Sequence, residues 1–168
     1  MEEEIDMISQ FSGAILDQKR AYRFLIWRFW DGSPRVLFIG LNPSTANECS
    51  DDPTLRRCVS FARSWGYGGM YLCNVFSFIT PDPSLLTKEN AFHEANPPAI
   101  NMARALSVLT VLVWGDGIEI AADGLRVAKR VAETSEAPMC FGLTKKGNPR
   151  HPLYLKGDVE LVEYGGKR

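Results

Sequence analysis

The sequence predicts an α/β protein: a three-layer α/β/α sandwich around a central, mostly parallel sheet, with an N-terminal edge strand. Three observations predict it. Apolar runs of strand length alternate with segments of helical spacing through the middle of the chain. The run Val36 to Ile39 has no polar alternation, as a strand covered on both faces requires. With 45% hydrophobic and 23% charged residues in 168, the chain can fill one core, so a single domain over residues 1–168 is expected.

The elements follow in order. Tyr22 to Trp30, "YRFLIWRFW", alternates large apolar residues with arginine and reads as the first strand. Arg23 and Arg28 need water or partners, which puts this strand at an edge. Asp31-Gly32-Ser33-Pro34 supplies turn chemistry before the strand at Val36. Asp51-Asp52-Pro53-Thr54 opens a helix with a carboxylate cap and a proline in the first turn. Leu55, Val59 and Ala62 mark its apolar face, Arg56, Ser60 and Arg63 its polar one, and "WGYGG" ends it.

"MYLCNVF" is the next strand, followed by the proline-punctuated "SFITPDPSLLTKENAFHEANPP", which is either a lid over a site or plain surface. A helix from about Ala99 to Leu106 precedes the strand "VLTVLVW". "GDG" leads into a helix with Ile118, Ala121, Ala122, Leu125, Ala128 and Ala132 inward. The strand "APMCFGL", the basic loop "TKKGNPRHPLYL" and a short strand near "VELVEY" complete the chain.

A net charge of −1 and a pI near 6.1 exclude the global basic field that holds extended nucleic acid. Contact with phosphate must be local, which favours a small nucleotide or a short stretch of nucleic acid. No window approaches the roughly 18 apolar residues of a membrane span, and "MEEEIDMISQ" is acidic where a signal peptide is basic, so a cytoplasmic protein without a membrane partner is expected. Cys49, Cys58, Cys73 and Cys140 form no CxxC pair and read as reduced packing thiols, although four scattered ligands of an iron–sulfur cluster can converge in space. There is no Walker A, GxGxxG, GxSxG or HExxH motif.

Parallel sheets bind ligands beyond the carboxyl ends of their strands. That places Asn42, Asn74, the Trp114-Gly115-Asp116 turn and "KKGNPRHP" along one edge. Asn42 is suited to orient a water or substrate, with Ser44 and Thr45 adding hydroxyls; the plainer reading is a turn closing its own backbone. Asn74 ends an apolar strand, where a buried amide needs partners at both ends. It matches the donor–acceptor edge of a base or ties two backbone segments together. His151, stiffened by flanking prolines, is placed to stabilise an anion on a leaving group, or is a surface histidine. Lys145, Lys146 and Arg150 suit phosphate, or form a solvated loop. Glu48, Asp51 and Asp52 offer carboxylates to a cation, but helix capping explains the aspartates more cheaply. The aromatic residues of "YRFLIWRFW" and "SWGYGG" either stack on bases or pack.

"LNPSTA" and "DDPTLRRCVSFARSWGYGG", between Leu41 and Gly69, resemble the signature segments of an uncharacterised bacterial and phage domain family, DUF1643. More distantly, "VLFIGLNPST", "MYLCNVF", "VLTVLVWG" and "RHPLYL" resemble, in order, the four landmark segments of the uracil-DNA glycosylase superfamily. That second resemblance implies a uracil-DNA glycosylase-like fold and cleavage of an N-glycosidic bond, without metal or cofactor. By it, Asn42 positions the attacking water and His151 stabilises the departing base. Asn74 reads the base edge, Pro152 follows the histidine, and Leu155 has the offset of the wedge that enters the duplex. Leu153 and Tyr154 replace the small and proline residues of that pattern. Gly40, Leu41, Pro43, Ser44, Thr45, Trp114, Lys145 and Arg150 complete the candidate binding set.

The implied partner is a nucleobase-containing ligand, DNA or nucleotide. The alternatives are a non-catalytic module that binds a modified base or nucleotide and an enzyme acting on free modified nucleotides.

Overall fold

The computed structural model describes residues 11–165; the acidic stretch read against a signal peptide lies outside them. Seven strands form one sheet in the order β1-β2-β4-β3-β5-β6-β7. They are β1 Ser12–Leu16, β2 Arg23–Phe29, β3 Arg35–Gly40, β4 Gly69–Asn74, β5 Leu109–Leu112, β6 Met139–Cys140 and β7 Val162–Glu163. Three α-helices stand among the described residues: α1 Pro53–Ser64, α2 Asn96–Ala105 and α3 Gly124–Glu133.

The sheet is mixed rather than mostly parallel. Strands β4, β3, β5 and β6 run parallel, while β1, β2 and β7 pair antiparallel at its flanks. Strand β4 inserts between β2 and β3, so the turn at 31–34 reverses the chain without making a hairpin. The first strand of the sequence reading is therefore interior, and the edge is β1, whose five short residues carry little pattern.

Alternation along the central strands separates two cores. Val36, Phe38, Met70, Leu72 and Val111 pack under α1. Leu37, Ile39, Tyr71, Cys73 and Leu112 pack on the opposite side with Ile100 and Ala103 of α2 and Ala128 and Ala132 of α3. The result is three layers, with α1 on one face and α2 and α3 on the other among the described residues.

Helix α1 forms where its cap residues lie. Asp52 Oδ1 accepts from Leu55 N–H at 2.8 Å, Pro53 fills the first turn, and Leu55, Cys58, Phe61 and Ala62 are buried. It stops at Gly66, whose φ of +81° lets Gly66 and Tyr67 N–H close on the Arg63 and Ala62 carbonyls. Helix α2 begins at Asn96, before Ala99, because Pro97 and Pro98 occupy a first turn that needs no N–H. "GDG" itself opens a 3-10 turn, Asp116–Glu119, and α3 starts only at Gly124; Leu125 faces outward. Segment 77–98 is anchored by Leu86 and Ala91, buried in the α2/α3 core, while Leu85 and Phe92 lie exposed on the surface.

All four cysteines are free thiols, three of them buried. Burial pushes the Cys58 and Cys73 thiols up, which keeps them protonated and unreactive. Among the described residues no helix is long and apolar enough to cross a membrane.

Candidate site at the carboxyl edge of the parallel strands

Gly40 pairs with Asn74 across β3 and β4, and Val113 N–H donates to the Ile39 carbonyl, so the three strand ends finish level. With strands about 4.8 Å apart, Asn74 and the end of β5 stand about 10 Å from each other. The chain leaving β3 stays beside the chain leaving β4: Val75, Phe76 and Thr80 N–H donate to the Gly40, Leu41 and Pro43 carbonyls at 2.9 Å each. Beyond β5, Gly115 N–H donates to Pro149 O at 2.9 Å and draws in the loop that carries His151. Gly115 has a φ of +66°, and a Cβ there would lie 3.2 Å from His151 Cβ. Only glycine fits both requirements.

Asn42 Nδ2 donates to the carbonyls of Thr80 at 2.7 Å, Pro43 at 3.1 Å and Phe78 at 3.4 Å. The amide is a clip between the two departing chains, and its Oδ1 accepts nothing from the described residues. The two readings of this residue merge: the bonds that close the loop also fix an acceptor in one orientation.

Asn74 is 4% exposed and sits against Arg23, itself 2% exposed. A bulge explains how Arg23 gets there. Ile15 pairs with Leu25 but Leu16 with Arg23, so Phe24 is an extra residue in β2. The alternation flips at that point, and Arg23 joins Ile26 and Arg28 on the α1 side. There its Nη1 donates to Ala46 O at 2.8 Å and its Nη2 to Asn74 Oδ1 at 3.4 Å. Arg28 ties down the same loop through Asp51 at 2.9 Å and Asn47 O at 2.6 Å. An arginine only donates, so Asn74 Oδ1 must face it and Nδ2 must face away. Nδ2 lies over Gly40, where a Cβ would approach it to 2.8 Å. Asn74 therefore offers the edge a donor; the acceptor half of the expected base-reading pair is taken by Arg23. Burial pulls the Arg23 guanidinium down to about 10, partly opposed by the Asp52 carboxylate.

His151 Nδ1 accepts the Leu153 N–H at 3.2 Å, which assigns the proton of the neutral ring to Nε2. Burial lowers the imidazole pKa below its ordinary 6.5, and Asp52 pulls the other way. Asp52 is buried and held by Ala46 N–H at 3.2 Å as well as by its cap bond. It caps α1 and also acts on both Arg23 and His151. Arg57 of α1 fastens the histidine loop by donating to the Pro152 and Leu155 carbonyls.

The other candidates divide. Leu41 and Pro43 are buried, while Ser44 is half-buried and Thr45 exposed at the rim. Trp114 turns into the α2/α3 core against Tyr164, so only its backbone belongs to the edge. Pro152 is buried, and Leu155 packs against the α1 core instead of projecting. The projecting residue is Tyr154, 95% exposed at a φ of +71°. Lys145 and Arg150 are exposed on a loop pinned to the β5 end by Asn148, which donates to Asp116 at 2.8 Å and Glu119 at 2.9 Å. Lys146 faces Glu119 at 3.6 Å. Asp51 and Glu48 are spent on Arg28 and Arg20, and among the described residues no group of histidine, cysteine and carboxylate ligands could hold a metal.

Sequence reasoning missed Arg23, Asp52 and Arg57 as parts of this edge. The one signal for Arg23 is its place in a strand of large apolar residues, which demands water or a partner; the partners, Asn74 and Ala46, lie 51 and 23 residues away and are not legible locally.

The fold and this edge define an α/β protein with a cluster of polar side chains over its parallel strand ends. A family model described as "Protein of unknown function (DUF1643)" matches residues 23–153, and the chain belongs to that family. No curated protein and no solved structure matches the chain.

Proposed function

We propose that the carboxyl edge accepts a nucleobase, and that the protein hydrolyses the N-glycosidic bond of an unusual or mismatched base in the manner of a DNA glycosylase. The observation that carries the reading is His151: a half-buried imidazole kept neutral, with Nδ1 occupied by Leu153 N–H and Nε2–H left as the donor. A departing base carries negative charge on a ring nitrogen or an exocyclic carbonyl oxygen. A preset neutral donor stabilises it without first giving up an ion pair.

Asn42 supports the same reading. Its Nδ2 is anchored on three carbonyls, so its Oδ1 is preset to accept one O–H of a water and aim the lone pair at the sugar carbon. The water oxygen forms the new bond to that carbon, and the base leaves with the electrons of the broken C–N bond. The water's extra proton passes to solvent or to the departing base. An amide is a weak base, so the reaction draws mainly on leaving-group stabilisation and suits bases that already leave readily. Asn74 Nδ2 adds a donor for a ring acceptor.

The second reading is binding of a modified base or nucleotide without cleavage, or action on a free nucleotide. Charge favours it over work on a long duplex: the chain is −1 overall, Arg57 beside His151 is committed to the Pro152 and Leu155 carbonyls, and Lys146 faces Glu119, which leaves Lys145 and Arg150 on the neighbouring loop for phosphate. Two binding experiments separate the readings. A DNA enzyme binds oligonucleotides with an affinity that falls steeply with salt. A nucleotide protein ignores oligonucleotides and gains thermal stability from a mononucleotide. Absence of both responses contradicts nucleobase handling altogether.

A further inference from the structure

Across the sheet from His151, helices α2 and α3 stand apart and leave a groove of about 710 Å3 between them. Of the edge residues described above only Val75 and Phe76 reach it, from the sheet side; Asn42, Asn74 and His151 do not line it. Its size is that of a small-molecule site. The floor is apolar, built from Val75, Phe76, Ile100, Val127 and Val131. Asn96, Ile100 and Arg104 on α2 face Arg126 and Arg130 on α3 and its C-cap Thr134, both sets at spacings of four.

Two features set this groove apart from an ordinary gap between helices. The first is charge. Lys88, Arg104, Arg126 and Arg130 line it against a single acid, Asp123, in a chain whose net charge is −1. Asp123 reaches only Arg126, at 3.5 Å and in solvent, where such a pair holds little. Arg104 spends its Nη atoms on Asn101 Oδ1 at 3.1 Å and on the Val131 carbonyl at 2.7 Å, bridging the two helices; its Nε is buried without a partner. No carboxylate pairs with Arg104 or Arg130 among the described residues.

The second feature is Asn96, 5% exposed. Its Nδ2 is committed to the Asn74 and Val75 carbonyls at 3.0 and 3.1 Å, which fixes Oδ1 on the other side, buried and without a donor. An orphaned buried acceptor is costly, and native proteins rarely leave one unless something else meets it.

We propose that the α2/α3 groove is a second ligand site, taking an elongated organic anion. Its acidic group meets Arg104, Arg126 and Arg130, its apolar or aromatic body lies on the floor, and a hydrogen-bond donor at its far end meets Asn96 Oδ1. Asn96 and Arg104 are eight residues apart on one helix, about 12 Å, which sets the separation of the two polar ends. The same chemistry is offered by a nucleoside monophosphate and by a hydroxy- or amino-terminated carboxylate.

The test is isothermal titration calorimetry of the full chain with AMP, GMP and 10-hydroxydecanoate. The expected result is saturable one-to-one binding of at least one probe, weakened roughly tenfold or more in Arg126→Glu/Arg130→Glu. Both substituted side chains are exposed, so the variant folds, and circular dichroism checks it. The phosphate and carboxylate probes tell the two sources apart. His151→Ala leaves this binding unchanged, because that residue lies across the sheet. No saturable binding by any probe overturns the proposal. So does binding that survives the charge reversal, or binding that His151→Ala abolishes.

Discussion

Arg23 and Asn74, 51 residues apart in sequence, meet inside the protein with the arginine Nη2 3.4 Å from the amide Oδ1. The contact exists because a one-residue bulge at Phe24 turns the arginine to the α1 face. It decides which end of the Asn74 amide points at the candidate site.

Replacing this arginine tests its structural weight. Arg23→Ala leaves the Ala46 carbonyl and Asn74 Oδ1 buried without a donor and opens a cavity under the Asn42 loop. Destabilisation of about 3 kcal/mol is expected, read as a lowered urea midpoint at unchanged slope.

Gly40 separates the site from the fold. A Cβ there meets Asn74 Nδ2 at 2.8 Å, while the next nearest atom, of Leu72, is 3.8 Å away. Gly40→Ala therefore displaces the amide and little else. The expected outcome is a urea midpoint close to the parent's with affinity for a base reduced roughly tenfold; an unchanged affinity would remove Asn74 from the site.

His151 links stability to pH, with a definite sign. Its folded pKa lies below the ordinary 6.5, so between those values the unfolded chain binds more protons. Stability from this residue is whole above 6.5 and is lost as pH falls through the window below it. Urea midpoints measured from pH 7.5 down to 5 fall more steeply for the parent than for His151→Gln. Equal slopes contradict a neutral, half-buried imidazole.

Tyr154 sits in the left-handed region at φ +71°, where a side chain costs about 1 kcal/mol that glycine does not. It is almost wholly exposed, so no packing is lost with it. Tyr154→Gly is expected to raise the Arg57-held loop's stability by about 1 kcal/mol, less the added entropy of glycine in the unfolded chain. A substantial loss on substitution would mean that the tyrosine has contacts in solution.

Local chemistry made the central strands and α1 legible. Val36 to Ile39 had to be covered on both faces, and Asp52-Pro53 had to open a helix. The layers followed from alternation. What stayed hidden depended on pairing between distant segments. Nothing in "YRFLIWRFW" says that Ser12–Leu16 will cover it. β6 and β7, two residues each, have too little length for a pattern to show. At the edge, Asn42 and His151 stand out by residue type, while Arg23 shows only as a charge in need of water or a partner and Asp52 as a cap or cation ligand. Trp114 follows the end of β5, but the alternation of that strand turns its side chain into the α2/α3 core. The groove between α2 and α3 is assembled from residues of several segments and left no mark in any one of them.

The measurement that bears most directly on the central claim is base release followed by mass spectrometry. The purified protein is offered single- and double-stranded oligonucleotides and free nucleotides carrying uracil, mismatched and modified bases, beside His151→Ala and Asn42→Ala. The account predicts free base from at least one substrate, with both variants slower by about a hundredfold or more. Release that both variants match would contradict the assigned chemistry, and no release from any substrate would contradict catalysis at this edge.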